Sequence, residues 1–210
     1  WNKMETLRSS ILIIVFCSLT TINVYSQDYK KLEELFSQSY TYEYKGDYNK
    51  AISVLQGGYI SNMYEMNLRL GWLNYLSGLF TESMAYYEKA IKLRPYSIEA
   101  KLGYVYPAAA VGNWNIVINQ YEEILKIDNQ HSIANYRLGS IYYGKNDYMK
   151  AYKYFEKLVN MYPFDYDSVI MFGWTNLKMG KYKEAKLLFE KALLIRPGDK
   201  SANEGLSNIK

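Results

Sequence analysis

Few side chains in this 210-residue sequence are of a type and spacing to do covalent or metal chemistry. Its single histidine, His131, has no cysteine or clustered carboxylate beside it, and a metal site needs several ligands in one place. The same histidine is the only imidazole available to activate a serine, so no Ser-His-Asp set is complete. His131 is therefore expected at the surface or at a helix cap. No strand pattern precedes a glycine-rich loop of the phosphate-binding kind. Glu33, Glu65, Glu99 and Asp167 recur near the starts of expected helices, where a carboxylate complements the positive helix end. That structural role outranks acid–base catalysis. The chain is expected to be no enzyme, with no cofactor and no metal.

Aromatic rings are what the sequence does supply, with 24 tyrosines and four tryptophans. Rings with a polar tip suit partner surfaces, but a ring at helical spacing is more often core. Which it is depends on the elements that carry it. The stretch from Gly180 to Pro197, GKYKEAKLLFEKALLIRP, reads as one helix between a turn glycine and a proline. Its turn position is matched by Asn146, Gly112 and Gly78, each 34 residues from the next. Tyr182, Tyr148, Trp114 and Phe80 follow in register, then Ala185, Ala151, Val117 and Ser83. Farther on, Phe189 matches Phe155, Tyr121 and Tyr87, and Ala192 matches Leu158, Ile124 and Ala90. Pro197, Pro163 and Pro95 close three units, and Asn129 fills the remaining slot. A constant period of this length predicts stacked helix pairs, none of which buries its apolar face alone.

The pattern resembles the tetratricopeptide repeat family, whose signature sets a bulky residue, Leu-Gly and Tyr on a first helix and Ala, Phe/Tyr, Ala and Pro on a second. The fifth unit carries Phe172-Gly173, Ala185, Phe189, Ala192 and Pro197; the fourth carries Leu138-Gly139, Tyr142, Ala151, Phe155 and Pro163; the second carries Leu70-Gly71, Tyr87, Ala90 and Pro95. A unit shorter by two residues precedes them, marked by Gly46-Asp47-Tyr48 and Ala51. The resemblance spans about Leu32 to Asp199. It implies an all-α solenoid of about five helix hairpins, with repeats at 32–63, 64–97, 98–131, 132–165 and 166–199 and a C-terminal cap at 200–210.

Within those repeats the expected pairs are Leu32 onward with Tyr48–Leu55, Tyr64–Leu76 with Thr81–Leu93, Ile98–Val111 with Asn115–Ile127, Ser132–Gly144 with Tyr148–Met161, and Asp167–Met179 with Lys183–Ile195. Gly57-Gly58 is expected to end its helix early by taking the left-handed conformation. Pro107, inside a first helix, cannot donate to the carbonyl of Gly103 and is expected to kink it locally. Asp199 and Ser201 can cap a last helix, Ala202–Ile209, whose polar side suits the end of an array.

Net charge is +4, too small for a nucleic-acid surface, and Glu88/Lys92 and Glu122/Lys126 read as i,i+4 pairs on a solvated face. The N-terminus differs: Lys3 and Arg8 precede the apolar run Ile11–Leu19, which polar residues and then Val24-Tyr25-Ser26-Gln27 follow, with small Ser26 at the end. This is the form of a secretory signal peptide over residues 1–26, with Met4 as the start and cleavage after Ser26. The run falls short of the about 20 residues that span a bilayer, so no stable membrane span is expected after cleavage. Phe16 before Cys17 argues against lipidation, and without Cys17 the chain from 27 to 210 has no cysteine and needs no disulfide. An exported protein, periplasmic or extracellular, is the expectation.

In the family the first helices line a concave groove that holds a peptide or a partner helix. Carrying those places over gives Phe36, Tyr40 and Tyr44; Leu68, Trp72 and Tyr75; Tyr106 and Ala109; Tyr136, Ser140 and Tyr143; and Ile170, Trp174 and Lys178. Tyr40, Tyr44, Trp72, Tyr75, Tyr106, Tyr136, Tyr143 and Trp174 are the candidate partner contacts, led by Trp72 and Trp174. Family members that clamp a terminal carboxylate use polar and basic residues where this chain has Phe36, Tyr40, Leu102 and Tyr106, so that activity is not implied; Arg69 and Arg137 lie near enough to meet an acidic group. Two readings stay open: docking of a protein or peptide segment, and binding of carbohydrate or cell wall.

Overall fold

The computed structural model describes residues 29–209, all helical or in turns, with no strand among them. The expected signal peptide and Cys17 lie outside the described residues. The chain divides into two compact units, one ending at Arg94 and the other beginning at Pro95.

The first unit holds two hairpins: α1 (residues 29–44) with α2 (Tyr48–Gln56), and α3 (Tyr64–Leu76) with α4 (Phe80–Leu93). The second holds three: α5 (Ile98–Ala110) with α6 (Trp114–Ile127), α7 (Ser132–Gly144) with α8 (Tyr148–Met161), and α9 (Tyr166–Lys178) with α10 (Tyr182–Ile195). A final helix, α11 (Lys200–Ser207), closes it. This is the all-α, α-solenoid architecture. The expected boundaries hold within a residue or two, except that α1 begins three residues before Leu32.

The turn between the helices of each pair follows from one backbone conformation. Gly46, Gly78, Gly112, Asn146 and Gly180 all have positive φ, from 60° to 77°. Each ends its helix with the same two bonds; after α3, Gly78 N–H donates to Tyr75 O at 3.0 Å and Leu79 N–H to Asn74 O at 2.8 Å. These use the carbonyls that a helix end leaves free. Asparagine at 146 is the side-chain-bearing residue that best tolerates this region. The far ends of α4, α6, α8 and α10 also agree: Arg94, Asp128, Tyr162 and Arg196 all leave helical geometry, at φ between −134° and −128°. Proline forces this on the residue before it, yet Asp128 does it before Asn129, so the packed turn suffices.

Packing explains the small residues of the repeat. Ala51 and Ser83 in the first unit, and Val117, Ala151 and Ala185 in the second, are buried where paired helices approach. Ser83 satisfies its hydroxyl by donating to Gly71 O at 2.7 Å. Glycine on a first helix then admits a ring from the second. A Cβ at Gly71 would sit 3.0 Å from the Tyr87 ring, and at Gly139 or Gly173 it would sit 2.9 Å from Phe155 or Phe189. Phe155 and Phe189 are wholly buried, each contributing about 2–3 kcal/mol in apolar transfer.

Three expectations are corrected. Gly57 keeps right-handed helical dihedrals (φ −62°) and Gly58 has no positive φ. Gly58 faces α1, where a Cβ would come within 2.3 Å of the end of the Leu35 side chain and would make that side chain move. Lys126 pairs with Glu123 rather than Glu122, which instead accepts the Tyr142 hydroxyl at 3.2 Å. Ile170, given a groove place, is buried in the core with Val169 and Phe189. At Pro107, α5 continues to Ala110, and the proline carbonyl accepts from Val111 N–H at 3.2 Å.

Candidate functional site

Helix caps account for several polar side chains at the helix starts. His131 is the N-cap of α7, its Nδ1 accepting the Ala134 N–H at 3.2 Å. Asp47, Asp147, Asp165 and Asp199 do the same for α2, α8, α9 and α11. Asp199 is held below the usual carboxylate range, first by the Ala202 N–H and then by the Tyr166 hydroxyl. Glu65 pairs with Arg94 at 3.2 Å. No group of three metal-ligating side chains occurs among the described residues.

The aromatic ladder remains, and the two units build it differently. In the first unit a polar network sets the rings. Arg69 on α3 is only 8 % exposed, and its Nη1 lies 2.5 Å from Glu43 Oε2 on α1. Its guanidinium carbon sits 3.7 Å from the centre of the Tyr40 ring, a stacked cation–π contact. The second oxygen of Glu43 accepts the Trp72 indole N–H at 2.7 Å. Trp72 packs on Tyr75 with ring centroids 5.8 Å apart, and Tyr75 on Phe80 at 6.0 Å. Arg69 thus meets an acidic group of its own chain. Tyr40 is half exposed above this network and Tyr44, one turn on, is 90 % exposed. Trp72 and Tyr75 are partly exposed beside them.

In the second unit the first-helix rings, partly buried like Trp72 and Tyr75, rest on rings of the second helices. Tyr136 meets the Phe155 ring edge-on at 5.9 Å, Tyr143 meets Tyr148 at 5.4 Å, and Trp174 meets Phe189 at 5.2 Å. Burial, aided by the Asp167 charge, pushes the Tyr136 hydroxyl above the usual tyrosine range, and burial does the same at Tyr143. Trp174 also donates its N–H to Ser201 Oγ on α11 at 2.9 Å. Gly205 of that helix lies so close to Phe189 that a Cβ would come within 2.3 Å of the ring. α11 therefore packs beside Trp174, which stays partly exposed. Tyr106, 52 % exposed, is the outward member here. Sequence reading missed the Glu43–Arg69 pair, since no local spacing rule joins residues on α1 and α3.

No helix among the described residues is long and apolar enough to cross a membrane. A search of curated proteins returned no match. Among solved structures, a tetratricopeptide repeat protein from Parabacteroides merdae ATCC 43184 is 22% identical, covering 86% of this chain and 72% of its own, with TM-score 0.72. A MamA protein is 21% identical over 79% of this chain and 92% of its own, with TM-score 0.68. MamA from Desulfovibrio magneticus RS-1 is 19% identical over 81% and 97%, with TM-score 0.66. At such identities the likeness speaks to fold. Three tetratricopeptide repeat family models match residues 36–98, 134–165 and 166–199, together more than half of the sequence. With the periodic turns, the buried small residues and the ring-on-glycine packing all in register, this chain belongs to the tetratricopeptide repeat family.

Proposed function

We propose that the protein is an exported, non-enzymatic scaffold that docks a peptide or protein segment on the first-helix aromatic faces. The observation that carries this reading is the Tyr40–Arg69–Glu43–Trp72 network. It spends a buried ion pair to hold rings at a surface, which core packing does not require. Fixed rings lose little entropy on binding and give large contact area. Export rests on the basic, apolar, then small-residue order of residues 1–26, and places the protein in the periplasm or outside the cell.

The test is affinity capture from envelope extract on immobilised protein, with Trp72→Ala and Tyr44→Ala as controls, beside a glycan array. A saturable protein or peptide ligand lost in both variants is the expected result. Saturable glycan binding lost in the same variants would instead establish the carbohydrate reading. Cell fractionation with N-terminal sequencing checks export, and an uncleaved cytoplasmic product would overturn it.

A further inference from the structure

The hairpin tips of the second unit carry a feature that the aromatic ladder does not use. Residues 145–153 and 178–186, the tips of the last two hairpins, hold seven lysines against two carboxylates. The tips adjoin: Lys181 Nζ lies 3.8 Å from the centre of the Tyr152 ring, and that ring meets Phe172 at 4.9 Å. Lys150 is paired with Asp147 at 3.2 Å and Lys186 with Glu190 at 3.8 Å. Lys145, Lys153, Lys178 and Lys183 are exposed with no carboxylate in ion-pair reach among the described residues. The opposite ends of the same hairpins, about 20 Å away along the helices, reverse the sign. Residues 128–132, 162–167 and 196–200 carry four carboxylates and two cations.

Apolar side chains stand among these lysines. Met149 is 65 % exposed and Tyr182 47 % exposed, and in the third hairpin Trp114, in register with Tyr182, is 51 % exposed. Exposed rings also occur at the opposite ends, as at Tyr162 and Phe164. Charge, not ring content, therefore distinguishes the tips. A purely polyanionic partner would use the lysines and leave Met149 and Trp114 in water. A bilayer with anionic headgroups uses both, because lysines gain from the surface potential while Trp, Tyr and Met settle at the hydrocarbon boundary.

We propose that the hairpin-tip edge of the second unit docks on an anionic lipid surface. Lys178 also holds a groove place, so the test uses tip lysines outside the partner-binding ladder, and either reading can fail without the other. The test is co-sedimentation of the full chain with phosphatidylcholine vesicles, with and without phosphatidylglycerol. The readout is the anionic-to-neutral partition ratio, since the apolar run Ile11–Leu19 is common to every variant. The parent is expected to prefer anionic vesicles, and the preference to collapse when salt is raised from about 0.1 to about 1 M, where screening shortens from about 10 to about 3 Å. Each tip lysine contributes about fivefold, so the triple change Lys145→Gln, Lys153→Gln, Lys183→Gln should lower the ratio on the order of a hundredfold. Trp114→Ser with Met149→Ser should weaken anionic partitioning severalfold with the salt dependence kept. Circular dichroism controls for folding. Should the triple variant lose helicity, Lys183→Gln alone must lower the ratio about fivefold. Equal partitioning to both vesicles, or a ratio unmoved by the lysine changes, overturns the assignment. So does loss with the lysine changes but none with the serine changes, which would mark a polyanion site.

Discussion

The two units solve one packing problem in two ways. Both set a first-helix ring over a hairpin, at Trp72 in one and Trp174 in the other, with the same register relative to their turn glycines. In the first unit Glu43 and Arg69 hold Trp72 by charge, and Tyr40 and Tyr44 stay in solvent. In the second, Trp174 leans on Phe189 and is tied down by Ser201. The position on the helix is shared and both tryptophans are partly buried; what differs is what holds the ring, a carboxylate paired with arginine in one unit and a ring with a hydroxyl in the other. Predictions that separate the two cases follow from this contrast.

The largest effect should come from Phe189→Ala. Phe189 is wholly buried, and Trp174 and α11 both rest on it. The cavity should cost about 3–5 kcal/mol in urea unfolding, with a shift in tryptophan emission as Trp174 is freed. A loss under about 1 kcal/mol would show that Trp174 does not depend on this packing.

Next is Glu43→Ala, which strands the buried Arg69 charge and should cost about 3 kcal/mol. Adding Arg69→Met should recover much of that loss, because the unpaired charge goes too. Equal losses in the single and double variants would mean that the pair does not organise the first unit. Partner docking should fall in both variants, since Trp72 loses its acceptor in each.

A smaller effect is expected from alkaline pH through the second unit. Burial raises Tyr136 and Tyr143 above the usual value of 10.0. The unfolded chain then releases their protons first, so the contribution is intact below pH 10.0 and is lost as pH rises through the folded values. Unfolding followed from pH 9 upward should show a falling stability, shallower in the double variant Tyr136→Phe, Tyr143→Phe. An identical slope in that variant would remove these two hydroxyls as the cause.

Much of the fold was legible because repetition averages out local ambiguity. Gly78, Gly112, Asn146 and Gly180 would each be a weak turn signal alone, but their common spacing fixed the hairpins nearly to the residue. Gly58 was misread because a glycine that faces a neighbouring helix looks, in sequence, like one chosen for its dihedrals. Its neighbour, Leu35, lies across a hairpin. Exposure of the ladder was less legible for the same cause. Trp174 depends on Ser201, in a helix that the repeat pattern does not describe, and Arg69 finds Glu43 through stacking of α1 on α3. Helical phase is written locally, whereas coverage is set by the neighbouring element.

Tyr44→Ala should give the smallest change in stability and the sharpest statement about function. The side chain is 90 % exposed at the end of α1, so its removal should shift stability by no more than about 0.5 kcal/mol. Tyr136→Ala, at the matching face of the second unit, removes a ring packed on Phe155 and should cost several times more. Docking should reverse that order, because a ring in solvent gains area only when a partner arrives, whereas a ring already packed has little left to offer. If calorimetric titration with the captured ligand shows Tyr44→Ala binding as the parent does, the first-unit ledge is not the contact. The outward aromatic at Tyr106 would then be the next place to look.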